Sequence, residues 1–101
     1  MSGEIPLAIV PVVVTPEFFI GLERQGGVTL VHCSVWRWGA GVARVLRASM
    51  DGVIAAHGGP LYAAAVHPHG GDFVKLHKFC RWMGFEPWGV ALGHPVWVRW
   101  E

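Results

Sequence analysis

The stretch that decides the fold is Gly59–Trp88, GPLYAAAVHPHGGDFVKLHKFCRWMGFEPW. Leu61–Val66 is an apolar run of strand length between proline-containing turns, and it predicts a buried strand. The apolar spacing then changes from two residues to three or four, which predicts a helix over residues 72–83. Gly84 stands where a left-handed residue commonly ends a helix, so Phe85 is expected to return to the core.

The preceding third of the chain predicts a hairpin and another helix. Phe18–Glu23 and Val28–Trp36 are β-rich, and the Gly-Gly pair between them supplies the positive φ angles of a tight turn. Apolar residues at helical spacing then predict a helix over residues 41–56 with one buried stripe. The predicted stripe consists of Val42, Val45, Leu46, Ser49, Val53 and Ile54.

The two ends of the chain predict further strands. Leu7–Val14 reads as one or two short strands, and its prolines favour an edge position or a bulge. At the other end, Gly89–Leu92 and Val96–Trp100 predict a hairpin around a Gly93-His94-Pro95 turn. The pattern predicts one domain over residues 1–101, of α+β or α/β class, with a mixed sheet and two main helices.

Composition limits the classes of function. The chain has 101 residues, of which 52% are hydrophobic and 15% charged, so it can bury a core and is not disordered. A formal net charge of +1 gives no general case for nucleic-acid binding. No secretory signal is visible, and the apolar run Ile5–Thr15 is too short to cross a membrane, which takes about 20 residues.

Two groups of basic residues leave two interpretations open. One group is Arg37, Arg44 and Arg47; the other is Lys75, Lys78 and Arg81. Each group could bind phosphates or an anionic partner, or each could be the solvated face of a surface helix.

The order strand, helix, Gly-Phe and strand resembles the C-terminal half of the GCN5-related N-acetyltransferases (GNATs). Arg81-Trp82-Met83-Gly84-Phe85 is similar to the sequence that ends a helix in small phage-encoded members. These include an internal virion protein of short-tailed phages without obvious catalytic residues. The resemblance runs from Phe18 to the C-terminus and implies a reduced GNAT-like sheet. The first strand and two helices of the family, which help to form its acceptor-substrate site, have no counterpart here.

A glycine-rich segment precedes the first predicted helix. Glycines at 39 and 41 lie between a strand and a helix N-terminus, where free N–H groups and the helix dipole favour a phosphate; a turn without a ligand is the alternative. The resemblance implies that the loop binds acetyl-CoA through Trp38, Gly39, Ala40, Gly41, Val42 and Ala43. Gly41 and Ala43 match the family's loop, whereas Trp38 stands where the family has Arg or Gln.

Cys80 is the candidate catalytic residue. It lies four residues before Gly84, where many family enzymes have a Tyr that protonates the leaving thiolate of coenzyme A. The resemblance therefore implies a thiol in the role of general acid. A Cys at an apolar helix position is also typical of a protein core, and Cys33 and Cys80 are expected to be free buried thiols.

Histidines and serines offer weaker alternatives. His67, His69 and His77 would bind a metal only if their imidazoles converged on one point, and nothing in their spacing requires this. Ser34 and Ser49 have no His/Asp pattern typical of a hydrolase triad.

Two functions from different classes remain open. The resemblance implies an acyl-CoA N-acyltransferase-type protein, either active or catalytically degenerate. The alternative is a non-enzymatic phage virion or interaction protein that uses the same fold. In either case the six Trp residues indicate a protein partner or a homo-oligomer, with the last strand as a candidate sheet edge. The expected location is the cytoplasm of a bacterial host or the virion.

Overall fold

The computed structural model describes residues 9–64, 73–91 and 93–100. Its helices and strands are β1 (Val10–Val14), β2 (Phe18–Gln25), β3 (Val28–Val35), α1 (Ala40–His57), β4 (Leu61–Ala64), α2 (Phe73–Trp82), β5 (Glu86–Ala91) and β6 (His94–Arg99). In this described part of the chain the strands form one six-stranded sheet in the order β1-β2-β3-β4-β6-β5. The β3–β4 pair is parallel and the other pairs are antiparallel, so the predicted mixed sheet with two helices is confirmed.

The predicted elements fall close to the observed ones, with a difference in the last hairpin. The β2–β3 hairpin and both helices are confirmed, while the predicted end of the strand at Val66 lies outside the described residues. The last hairpin is longer than predicted because β5 already begins at Glu86. Its turn is tighter than expected, since His94 and Pro95 belong to β6 and pair with Ala91 and Val90.

Both helices pack on one face of the sheet, which we call the helix face. Alternation along the strands points one set of side chains into a core with the helices. The buried core consists of Phe18, Ile20, Val31, Leu46, Met50, Ile54, Leu61, Cys80, Met83, Phe85 and Trp97. The alternate residues, including Phe19, His32, Tyr62 and Val96, lie on the opposite face, which we call the open face.

The buried stripe of α1 is rotated relative to the prediction. Leu46, Met50 and Ile54 are its buried residues, whereas Val45 is 54% exposed. The prediction for Val45 was therefore wrong, and Met50 was missed. Both residues are compatible with helical spacing, and only the position of the sheet decides which side of the helix is covered.

The end of α2 has the predicted cap. Gly84 has φ 87°, its N–H donates to the Arg81 carbonyl, and the N–H of Phe85 donates to the Cys80 carbonyl at 3.0 Å. Phe85 is buried at 6% exposure. A left-handed glycine thus turns the chain from α2 back to the core, as the sequence predicts.

The last strand is not a sheet edge, which corrects the expectation of pairing through it. β6 lies between β4 and β5, and the edges are β1 and β5. Each edge strand contains a proline, Pro11 or Pro87, and a register shift beside it. Prolines and bulges interrupt the hydrogen-bonding edge that another strand would need. Extension of the sheet by a second copy is therefore disfavoured at both edges.

Candidate functional site

The two parallel strands at the centre of the sheet share one paired position among the described residues. β3 and β4 are paired at Leu30 and Tyr62, and no further pair joins the described residues of these strands. Beyond this point β3 continues to Val35 and β4 to Ala64. Backbone polar groups of β3 and β4 that are not bonded between the two strands could pair with a ligand that carries amide groups.

The helix that follows β3 begins without a side-chain cap. Gly39 is the N-cap residue and makes no side-chain hydrogen bond to the helix, and the first turn holds no acidic residue. An added Cβ at Gly39 or Gly41 would meet no atom within 4 Å. The first-turn N–H groups of α1 are thus accessible to an anion, which the helix dipole would also stabilise.

The predicted loop over residues 38–43 comes together with α2 through aromatic contacts. Trp38 is 57% exposed, and its ring meets that of Phe79 edge-on at a centroid distance of 5.7 Å. Phe79 in turn contacts Trp82 at 6.2 Å. The structure therefore brings the candidate loop next to the residue that precedes Cys80, although the two segments are far apart in sequence.

Cys80 lies at the inner end of this region. It is 7% exposed and belongs to the buried core, while Cys33 on β3 is partly buried and also packs against that core. Both are free thiols. Burial raises the pKa of Cys80, and burial together with the nearby Cys80 raises the pKa of Cys33 to about 11. Both side chains are therefore protonated at neutral pH.

Each of the two basic groups contains an arginine that makes a structural contact. Arg37 and Arg44 are exposed, but Arg47 is held by Asp51 at 3.2 Å and by the Trp82 carbonyl. In the second group Lys78 is exposed, and the side chain of Lys75 lies outside the described residues. Arg81 covers the ring of Trp97 with its guanidinium carbon 5.5 Å from the centroid. One arginine of each group thus has a structural role.

Most of the candidate metal ligands lie outside the part of the chain that the structure describes. His67 and His69 lie outside the described residues. His77 packs against the ring of Trp97, at a centroid distance of 5.4 Å. Among the residues that the structure describes, no group of three or more His, Cys, Asp or Glu could hold a metal ion.

Sequence reasoning missed a polar pair on the open face. His32 Nε2 lies 2.8 Å from Glu23 Oε1, on the neighbouring strands β3 and β2. Gln25 Nε2 donates to the other carboxylate oxygen at 2.9 Å. These bonds, first that from Gln25 and then that from His32, hold the pKa of Glu23 below its usual range. Alternation in the predicted hairpin was the available signal, because it places both residues on the same face.

The fold and the site define a small α+β domain with one short parallel pairing in its sheet and, after β3, a helix without a side-chain cap. The crystal structure of the anti-CRISPR protein AcrVA5 is similar, with a TM-score of 0.63, 16% identity, and coverage of 90% of this chain and 99% of that chain. At this identity the likeness shows a shared fold. No protein-family model and no curated protein matches the chain. Within the described residues, no helix is long and apolar enough to cross a bilayer.

Proposed function

We propose that the chain is a GNAT-type acyltransferase that binds acetyl-CoA between β3 and β4 and transfers the acyl group to an amine. The observation that carries this proposal is the short parallel pairing of β3 with β4, of which Leu30 and Tyr62 are the one paired position among the described residues. The uncapped start of α1 follows the end of β3 after a short loop, so phosphate-binding N–H groups would lie near the end of this strand. The similarity to the structure of AcrVA5 supports the α+β architecture on which the proposal depends.

The residues of the loop fit the cofactor. N–H groups of the first turn of α1, from Ala40 to Val42, would hold the pyrophosphate, and the open space at Gly39 and Gly41 would let it approach the backbone. Trp38 would line the same site with an exposed ring. When bound, the cofactor supplies an activated thioester. Trp38 contributes apolar surface where the family has a polar residue, so the pyrophosphate would depend more on backbone N–H groups.

Cys80 would keep a proton available at its Sγ atom. Burial raises its pKa, so the thiol is protonated at neutral pH and is a poor nucleophile. A protonated thiol can act as a general acid toward a departing thiolate. The same burial places Cys80 in the core, so its substitution must be judged by stability as well as by activity.

Titration calorimetry with acetyl-CoA tests the proposal directly. We expect a dissociation constant at or below about 10 μM, which corresponds to about −7 kcal/mol. Gly41→Asp places a carboxylate at the first turn of α1 and should weaken binding at least tenfold by repelling the pyrophosphate. Gly52→Asp is the matched control, because Gly52 is also exposed on α1 with no atom within 4 Å of an added Cβ.

Two outcomes of this titration contradict the acyltransferase proposal. One is the absence of measurable heat when acetyl-CoA is added to the folded full chain at a concentration 100 times the expected dissociation constant. The other is equal weakening by Gly41→Asp and Gly52→Asp, which would show that the start of α1 is not the binding site. Either result favours the second candidate function.

The second candidate is a non-enzymatic interaction or virion protein with the same fold. The observation that favours it is the exposure of large aromatic residues. The exposed tryptophans are Trp36 at 58%, Trp38 at 57%, Trp82 at 42%, Trp88 at 57% and Trp100 at 56%. Exposed Trp side chains are typical of protein interfaces. A protein partner or a second copy would cover them through a face of the molecule, since both sheet edges carry a proline and a bulge.

The two candidates agree on the biological setting that we propose. The description of the similar structure as an anti-CRISPR protein supports an origin in a phage or another mobile element, because such genomes confront CRISPR systems. The protein would then act in the cytoplasm of a bacterial host or accompany the virion. Sedimentation at micromolar concentration tests whether copies of the chain assemble. A monomer contradicts assembly into a homo-oligomer.

A further inference from the structure

A groove of about 460 Å³ crosses the open face, away from the helices and the start of α1. We call it the open-face groove. Its floor includes Leu30 and Tyr62, the paired residues of β3 and β4. The groove is also lined by Glu23, His32, Trp88 and Val96. The groove therefore spans the sheet and is bounded mainly by apolar and aromatic side chains.

Glu23 gives this groove a negative charge. The side chain is 16% exposed, and its two oxygens accept bonds from His32 and Gln25. Because an ionised carboxylate only accepts hydrogen bonds, His32 Nε2 must be the donor in this pair. Each carboxylate oxygen has two acceptor sites, so the bonds present leave Glu23 able to accept from a ligand N–H.

Aromatic rings line the groove on the side of β4 and β5. Tyr62 and Trp88 meet edge-on with a centroid distance of 5.5 Å. Trp88 is 57% exposed and lines the same groove as the apolar residues Leu30 and Val96. The faces of Tyr and Trp rings attract cations within about 6 Å of the centroid. Of the described residues that line the groove, none is Lys or Arg, and its histidines are His32 and His94.

We propose that the open-face groove binds an organic cation, in the form of a primary ammonium group on an apolar or aromatic stem. The ammonium would donate to Glu23, and the stem would lie along Leu30, Tyr62 and Trp88. Charge complementarity selects this occupant, because an anionic ligand would be repelled by Glu23, whereas an ammonium group can donate to the acceptor sites that His32 and Gln25 leave free on its carboxylate. A role as the acyl acceptor rests on the proposed acyl transfer, whereas the binding itself does not.

The test is a titration of the full chain with 2-phenylethylamine, without acetyl-CoA, followed by Trp fluorescence and by calorimetry. The matched probe is 2-phenylethanol, which has the same stem and no charge. We expect the amine to bind at least tenfold more tightly than the alcohol at pH 7. Equal affinity for the two probes, or no binding of the amine, would overturn the proposal.

Variants locate the binding in the groove. Glu23→Gln should weaken amine binding at least tenfold and leave the alcohol unchanged. Glu86→Gln is the control, since Glu86 is an exposed acidic residue on β5 that does not line the groove. If Glu23→Gln does not fold, Trp88→Leu at an exposed position serves instead and should weaken amine binding severalfold. An unchanged amine affinity in the folded variant refutes the site.

The result separates this inference from the proposed function. Amine binding that persists in a chain without affinity for acetyl-CoA supports the groove and contradicts the acyltransferase. Acetyl-CoA binding without amine binding supports the acyltransferase and contradicts the proposed amine site in the groove.

Discussion

Arg99 on β6 reaches Asp51 on α1, with its Nη2 atom 2.6 Å from Oδ1 of the carboxylate. Its Nη1 atom also donates to the Met83 carbonyl at 2.8 Å, and Arg47 bonds both Asp51 and the Trp82 carbonyl. One carboxylate and two guanidinium groups thereby join α1, the end of α2 and β6. Cations at a helix C-terminus also interact favourably with its dipole, so this network stabilises the end of α2.

Asp51 should make stability depend on pH. Burial raises its pKa, but the bonds and charges of Arg99 and Arg47 outweigh this effect and leave the pKa lowered. A carboxylate with a lowered pKa contributes stability above its unfolded value, near 3.9, and loses it as pH falls through the folded pKa. Asp51→Asn should therefore cost up to about 1 kcal/mol at pH 7 and almost nothing at pH 2, because exposed ion pairs contribute little. Thermal unfolding of Asp51→Asn and the unchanged chain at the two pH values measures both losses of stability. Equal losses at the two pH values would contradict a lowered pKa of Asp51.

Gly84 should be more sensitive to substitution than another left-handed glycine. Gly84→Ala combines a positive φ of 87° with a Cβ placed 3.1 Å from Arg99 Nε. Gly58→Ala has a similar φ of 72° and meets no atom within 4 Å, so it isolates the backbone cost. We expect losses of roughly 1 kcal/mol for Gly58→Ala and roughly 1–3 kcal/mol for Gly84→Ala. Urea unfolding compares them, and a smaller loss at Gly84 would show that Arg99 moves aside freely.

The two faces of α1 should respond differently to truncation. Leu46 is fully buried at 0% exposure, whereas the adjacent Val45 is 54% exposed. Leu46→Ala should destabilise by about 2–5 kcal/mol, because it removes buried contacts and leaves a cavity. Val45→Ala should change stability by less than about 0.5 kcal/mol. Chemical denaturation of both variants checks this, and a loss at Val45 comparable with that at Leu46 would mean that a partner or another segment covers that side of α1.

The thiols should react slowly in the native protein. The pKa of Cys33 is raised to about 11, and that of Cys80 is raised by burial. Since the thiolate is the reactive form, alkylation by iodoacetamide at pH 8 should be at least tenfold slower in the folded chain than in urea. Mass spectrometry of the labelled peptides measures both sites. Rapid native labelling of Cys80 would instead indicate an activated thiol and a different chemical role.

The order of elements and the cap of α2 could be predicted from local chemistry. Apolar spacing separates strands from helices along the chain, and a glycine at the end of α2 is needed because its φ is 87°. The glycine-rich start of α1 was also visible, because a strand, two glycines and a helix are consecutive in sequence. These features depend on residues within a few positions of one another.

Strand order and side-chain partners depended on the tertiary structure. Nothing local shows that β6 inserts between β4 and β5, that α1 turns Met50 rather than Val45 toward the sheet, or that Arg99 meets Asp51. The Glu23–His32 pair lies across a hairpin that was predicted without a pairing register, and the open-face groove gathers residues from five strands. The sequence by itself determined the elements, their caps and their apolar faces, because these follow from short-range sterics and spacing. Only the folded chain decided which faces meet and which polar groups converge, because those contacts join residues that are distant in sequence and compete with many alternatives of similar local energy.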